Sequence, residues 1–306
     1  MQQDFDFVII GAGAAGLTAA QYGARANLKT AVIESGTKGG QALLINELEN
    51  YPGIFPAVNG FEFAQTMQNQ AQTFGAQFFS GKVQSVDKCK GLFVIKTEKD
   101  QFTAKALLLA TGAKHRSLGI PGEAELAGRG VSYCATCDGP FFKNKPMVVI
   151  GGGDAACDEA NFLANLSDCV YLVHRRETLR AQAAVAERAL KNPHIKPMLN
   201  KIPVKIEGTS KVEAILLKDT QTGEEIRLET AAVFIFVGME PQNELIEMAR
   251  RDANGYIITD ENMMTSIAGL FCAGDLRAKP FRQVVTAAAD GAYAAHGAEL
   301  YIQQTK

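Results

Sequence analysis

Gly11-Ala12-Gly13-Ala14-Ala15-Gly16 follows the apolar run Phe5 to Ile10 without a break and opens an alanine-rich stretch, Leu17 to Ala26. The order reads as strand, tight turn, helix. The glycines permit the turn and let the backbone approach a pyrophosphate, while the first N–H groups of the helix face the phosphates. Alone, a G-x-G-x-x-G is weak evidence. Here a second apolar strand, Thr30 to Ile33, ends in Glu34, at the spacing from Gly11 where an acid can accept hydrogen bonds from a ribose. The stretch from Phe5 to Glu34 therefore predicts the start of a dinucleotide-binding unit and an α/β fold.

The same pattern returns near the middle of the chain as Met147 to Ile150, then Gly151-Gly152-Gly153-Asp154-Ala155-Ala156, then another alanine-rich helix. A repeat of a whole nucleotide-binding unit fixes the architecture more firmly than either copy alone. His174 stands to Gly151 as Glu34 stands to Gly11, and it is followed by Arg175, Arg176 and, one helical turn on, Arg180. An acid suits a free 2′-hydroxyl, whereas clustered arginines suit a 2′-phosphate. The second site is expected to prefer NADPH to NADH.

Between the two loops lies Cys134-Ala135-Thr136-Cys137-Asp138-Gly139. Two cysteines at this spacing close a small disulfide ring or supply half a metal site. A zinc site wants a second C-x-x-C or paired histidines, and the remaining cysteines (Cys89, Cys157, Cys169, Cys272) and all four histidines (His115, His174, His194, His296) are scattered singly. That distribution favours redox chemistry, in which one thiol of the pair has its pKa lowered to roughly 3.5–7.5. The isolated cysteines read as small buried hydrophobes.

Elsewhere the chain alternates. Residues 61 to 73 have helical spacing, and 78 to 109 form short strands that end at Ala110-Thr111-Gly112, either a close backbone approach to a nucleotide or a plain turn. Gly39-Gly40-Gln41 and Glu49-Asn50-Tyr51-Pro52-Gly53 are loops to which spacing assigns no role. Residues 196 to 237 return to strands with a polar hairpin turn at Asp219 to Glu224, and a helix is predicted over 242 to 251. A strand then breaks at Gly274-Asp275, where the acid is either a cofactor ligand or a cap, and a final helix spans about 283 to 300. With 306 residues, 31 basic and 33 acidic, the net charge of −2 gives no footprint for nucleic acid or an anionic membrane. No run approaches the about 20 apolar residues of a membrane span, and Met1 to Asp6 does not resemble a signal peptide, so a soluble cytoplasmic protein is expected.

Taken together and in this order, these segments and Arg282-Gln283 resemble the bacterial-type, low-molecular-weight thioredoxin reductases over about residues 5 to 301. The resemblance implies two Rossmann-like dinucleotide-binding domains, the second inserted into the first. Residues 1–113 and 244–306 would bind FAD, and residues 114–243 would bind NADPH and carry the dithiol. Glu34 would take the adenosine ribose, Asn50 and Thr111 would lie along the FAD, Asp275 would hold its ribitol, and Arg282, Gln283 and Val284 would meet the isoalloxazine. Gly11, Gly13, Ala14, Ala15, Gly16, Ser35, Gly40, Gln41, Val83, Ala110, Gly112 and Gly274 would complete that site. Gly151, Gly153, Asp154, Ala155, His174, Arg175, Arg176 and Arg180 would hold NADPH.

In the implied reaction NADPH reduces the flavin, and the flavin reduces the disulfide through Cys137 with Asp138 as proton donor. After a domain rotation, Cys134 attacks thioredoxin. Arg129, Phe141 and Phe142, flanking the dithiol, are either docking contacts for the protein substrate or ordinary core and surface. A homodimer is implied as well. The chain departs from the family where Ala155 replaces a frequent hydroxyl residue, removing about 1 kcal/mol of pyrophosphate contact, and where Asp158 replaces a frequent glutamate. The absence of a thioredoxin-like stretch before Asp4 argues against the alkyl hydroperoxide reductase flavoproteins. Two other readings compete: a related flavin disulfide reductase or thiol oxidase with a different donor or acceptor, and a flavoprotein that senses redox state through its dithiol.

Overall fold

The computed structural model describes residues 2–45 and 47–305. The chain divides into two compact units, one formed by the segments up to Lys114 and from Glu240 onward, the other by His115–Met239. The first unit opens with β1 (Gln2–Ile10), α1 (Ala14–Arg25) and β2 (Thr30–Glu34), followed by α2 (Gly60–Thr73), β3 (Gln77–Ser80), β4 (Val83–Cys89), β5 (Leu92–Thr97) and β6 (Gln101–Leu109). Strand β7 (Ala113–His115) crosses into the second unit, which contains β8 (Val131–Ser132), the short helix α3 (Ala135–Asp138), β9 (Met147–Gly151), α4 (Asp154–Ala164), β10 (Val170–Val173), α5 (Ala183–Lys191) and β11 (Ile195–Met198). It continues through β12 (Lys201–Glu207), β13 (Ala214–Asp219), β14 (Glu225–Glu229) and β15 (Ala232–Phe236), and returns along β16 (Met239–Pro241) to β17 (Leu270–Cys272) and α6 (Val284–Gln304).

In the first unit the sheet runs β3-β2-β1-β6-β5-β4, and β17 pairs with the far end of β6. Phe7, Val8 and Ile9 are fully buried because helices and the β4–β5 meander cover both faces of the central strand, which explains the unbroken apolar run of β1. Register then sets the site. Ile10 pairs with Ile33 and with Leu109, and Cys272 also pairs with Leu109. Gly11, Glu34, Ala110 and Ala273 therefore lie side by side at the carboxyl edge of the sheet, where open α/β sheets bind ligands.

The second unit repeats the device with a parallel sheet, β11-β10-β9-β15-β8, and adds an antiparallel β12-β13-β14 sheet. Ile150 pairs with Val173 and Ile235, and Val173 with Met198. Gly151, His174 and Leu199 emerge together. The compact units divide at 114/115 and 239/240, and Gln242 is tied to Gly112 and Thr111 of the first unit. Three differences from the sequence reading appear. Residues 242–251 form turns instead of a helix, since Arg251 donates to the carbonyls of Asn243 and Ile246 and Asn243 reaches the Gly255 carbonyl at the far side of the loop. Cys89 ends the strand β4 in an exposed position and Cys169 is half-buried, while Cys157 and Cys272 are buried as expected. Helix α6 continues past Leu300 to Gln304. No described helix is long and apolar enough to cross a membrane.

Helices α1 and α6 cross in backbone contact. A Cβ at Gly291 would lie 2.1 Å from the Ala15 carbonyl oxygen, so Gly291→Ala should push the helices apart and destabilise the unit by about 1–3 kcal/mol; an unchanged melting temperature would contradict this. In the second unit, Glu159 on α4 has its Oε2 out of solvent and without a hydrogen-bond partner. Burial, and secondarily the Asp158 charge, raises its carboxyl pKa from 4.5 to about 7. A pKa raised by folding adds stability that is complete below the ordinary value and lost as pH rises through the folded one. Glu159→Gln should therefore leave the melting temperature near wild type at pH 4 and raise it at pH 8, and equal shifts at both would refute the assignment.

Candidate active site

The first glycine loop is shaped by close backbone contact. Gly11 has φ +104°, and a Cβ there would lie 2.3 Å from the Ala110 carbonyl oxygen, so the turn after β1 sits directly on the turn after β6. Gly39 donates to the Ala12 carbonyl at 2.8 Å, and the adjacent Gly40 packs against Gly13. Gln41 Nε2 reaches the Ala113 carbonyl at 3.2 Å. Gly274 packs against Ala15, which brings Asp275 to the same edge. Glu34 accepts the Ala12 N–H at 2.7 Å and the Gly36 N–H at 2.9 Å, with the Ser35 hydroxyl at 3.3 Å. Val83 starts β4 shortly after Gly81, whose N–H donates to the Glu34 carbonyl.

Asp275 provides the test of fit for a polyhydroxylated cofactor. Its Oδ1 is buried and accepts no hydrogen bond, with Lys279 Nζ at 3.9 Å. Burial raises the carboxyl pKa, and Lys279 and Arg282 oppose the shift. An unmet buried acceptor beside a glycine-lined loop matches a ribitol hydroxyl. Asn50 Nδ2 donates to Gln283 Oε1 at 3.2 Å, and Gln283 and Thr286 cap α6 reciprocally, with Val284 as the first helical residue. Arg282 stacks on Tyr256 at 3.8 Å and donates to the Arg277 carbonyl. The Thr111 hydroxyl donates to the Gln242 carbonyl at 2.6 Å, and the Gly112 carbonyl accepts the Gln242 N–H. Gln242, Lys279 and Asp290 carry no local motif that would single them out in the sequence.

In the second unit His174 lies over the glycine loop. A Cβ on Gly152 would come within 2.3 Å of His174 Nδ1, whereas Gly153 opens onto free space. His174 is buried and its Nε2 has no partner. Its pKa is lowered first by burial and then by the charges of Arg180, Arg176 and Arg175, and the Arg180 N–H donates to the Gly152 carbonyl, which ties that segment to the loop. A buried unpaired imidazole nitrogen among exposed arginines, with open backbone at Gly153, fits a phosphorylated adenosine. Asp154 and Ala155 begin α4, with Asp154 bonded to Gln182.

The dithiol sits on α3 in this unit. Cys134 and Cys137 form a disulfide, with Cys134 half-buried and Cys137 exposed. The Cys137 N–H donates to Cys134 Sγ at 3.2 Å, and Thr136 Oγ1 lies 3.4 Å from the same sulfur. Asp138 lines a cavity of about 310 Å³ together with Arg129, Phe141, Phe142 and Lys211. Phe141 is 76% exposed, so the cavity has an apolar lip beside the disulfide-bearing helix.

The sequence pattern of the pyridine nucleotide-disulphide oxidoreductases matches residues 5–291. A thioredoxin reductase of Treponema pallidum is 57% identical over 302 residues, covering 99% of this chain and 98% of that protein. One from Bacillus subtilis is 44% identical, covering 98% and 95%. The crystal structure of Lactococcus lactis thioredoxin reductase superposes with a TM-score of 0.95 at 42% identity, covering 98% of this chain and 99% of that one. With its paired glycine loops and the Cys134–Cys137 disulfide, the chain belongs to the pyridine nucleotide-disulphide oxidoreductase family and, within it, to the bacterial-type thioredoxin reductases, flavoprotein enzymes that use FAD and NADPH.

Proposed function

We propose that this protein reduces the disulfide of thioredoxin at the expense of NADPH, with the first unit as the FAD domain and the second as the NADPH domain. The observation that carries the reading is a disulfide, Cys134–Cys137, on the same unit as a glycine loop hydrogen-bonded to the segment that carries Arg175, Arg176 and Arg180. Bound FAD supplies a two-electron relay between NADPH and that disulfide. Glu34, Asn50 and Asp275 orient it through ribose and ribitol, while Arg175, Arg176 and Arg180 hold the 2′-phosphate of NADPH.

The chain's own chemistry follows from the dithiol. Two electrons open the Cys134–Cys137 bond, and Asp138, next in sequence to Cys137, delivers a proton to the sulfur pair. Cys134, which accepts the Cys137 N–H, then attacks a sulfur of the thioredoxin disulfide; one thioredoxin sulfur leaves as a thiolate, and Cys137 resolves the mixed disulfide by displacing the other. Arg129, Phe141 and Phe142 receive the protein substrate at the lip of the cavity. The units are joined by two crossings, paired as the β7–β16 ribbon, and rotation about this ribbon would bring the nicotinamide and the dithiol to the flavin in turn. A homodimer in the cytoplasm completes the proposal; for the dimer, a groove of about 660 Å³ between α1, α2 and α6, lined by Tyr22, Phe63 and Met67 together with polar side chains, offers a surface.

Steady-state assay of the flavin-loaded protein with thioredoxin should give rapid NADPH oxidation and far slower NADH oxidation. Cys134→Ser should abolish thioredoxin reduction while NADPH still bleaches the flavin. Flavin bleaching without thioredoxin turnover in the wild type would assign another disulfide acceptor. Sedimentation should give twice the 32.8 kDa chain mass; a monomer at micromolar concentration would refute the dimer.

A further inference from the structure

The three arginines are carried by residues 174–182, a segment without regular secondary structure in which Arg175, Arg176 and Arg180 are all exposed. Ordering such a segment only when nucleotide arrives would subtract from affinity. The segment is instead tied at both ends. At its entry, His174 exchanges backbone hydrogen bonds with Met198 and Lys201, each at 3.0 Å, and Asn200 donates to the Arg176 carbonyl at 3.2 Å. At its exit the Arg180 N–H donates to the Gly152 carbonyl at 2.6 Å. The Gln182 N–H then donates to Asp154 Oδ1 at 2.7 Å, and Gln182 Nε2 to Asp154 Oδ2 at 2.7 Å.

This last contact engages both oxygens of a carboxylate in the first turn of α4, the turn that faces the pyrophosphate. A negative charge there suits the helix end but opposes an incoming phosphate. Direct contact with the nucleotide therefore does not account for Asp154, whereas a two-pronged hold on the arginine segment does.

We propose that Asp154 and Gln182 form a positioning clamp that fixes the arginine segment against the second glycine loop and sets the preference for NADPH over NADH. The proposal rests on the assignment of this site to NADPH. Because the arginines act on the 2′-phosphate, which NADH lacks, loosening the clamp lowers affinity for the phosphorylated nucleotide selectively. Asparagine at 154 preserves the clamp: its Oδ1 accepts the Gln182 N–H, and its Nδ2 donates to Gln182 Oε1 once that amide turns over.

Isothermal titration of the oxidised, flavin-loaded enzyme with NADP+ and with NAD+ tests this. Asp154→Ala and Gln182→Ala should each weaken NADP+ binding about tenfold, with NAD+ within about twofold of wild type, as expected for loss of charge-assisted hydrogen bonds. Asp154→Asn should bind NADP+ within about twofold of wild type, and the double alanine variant should be no weaker than the singles. Amides 175–182 should exchange hydrogen faster in nucleotide-free Gln182→Ala, a surface variant expected to keep the fold. Equal loss of both nucleotides, no loss, or Asp154→Asn as weak as Asp154→Ala would overturn the clamp. Failure of the wild type to bind NADP+ would overturn the NADPH assignment and the clamp with it.

Discussion

Backbone contact around the first glycine loop is the constraint on which the larger unit depends. The turn after β1 rests on the Ala110 carbonyl, Gly40 touches Gly13, Gly274 touches Ala15, and Gly291 brings α6 against the Ala15 carbonyl. Segments from opposite ends of the chain therefore meet at separations that exclude a side chain. Dispersion contacts at this density are individually small but collectively rigid. The consequence is positional: Glu34, bonded to the Ala12 N–H, and Asp275, next to Gly274, inherit their places from backbone that cannot shift far.

The second loop repeats the device and adds side-chain contacts to it. A Cβ at Gly151 would lie 2.5 Å from the Phe236 carbonyl oxygen and His174 lies over Gly152, but the nearby arginine segment has no sheet or helix to hold it. Side-chain hydrogen bonds take over, with Asp154 and Gln182 acting across the gap. The arginine segment is therefore adjustable on its own, because exchanging one side chain alters it without disturbing the strands.

Much of this was legible in the sequence, and the reason is local. A strand, a glycine turn and a helix follow one another without interruption, so both loops announce themselves through short-range periodicity. The misread segment, 242–251, shows the limit. Leu245, Ile246 and Ala249 imitate a helical face, but the guanidinium of Arg251 takes carbonyls that a helix would have used. Likewise the hold of Gln242 on Thr111, distant in the chain, leaves no trace in spacing. The site residues found through glycine or cysteine pattern were accessible; those acting through long-range polar contact were not.

The last of these contacts explains how Asp275 keeps an acceptor free in a buried place. Asp290, buried on α6, accepts from Lys279 at 2.8 Å, from Arg277 at 3.1 Å and from the Gly274 N–H at 3.1 Å. Two cations around one carboxylate leave a surplus positive charge, and Asp275, 3.9 Å from Lys279, balances it. Burial raises the Asp275 pKa, and the Lys279 charge opposes that rise. Because Lys279 acts on Asp275 through charge and forms its hydrogen bonds with Asp290 and Thr286, the Oδ1 of Asp275 is opposed by a cation yet remains open to a hydroxyl donor. A direct hydrogen bond from Lys279 would have satisfied the same carboxylate and closed it to the cofactor.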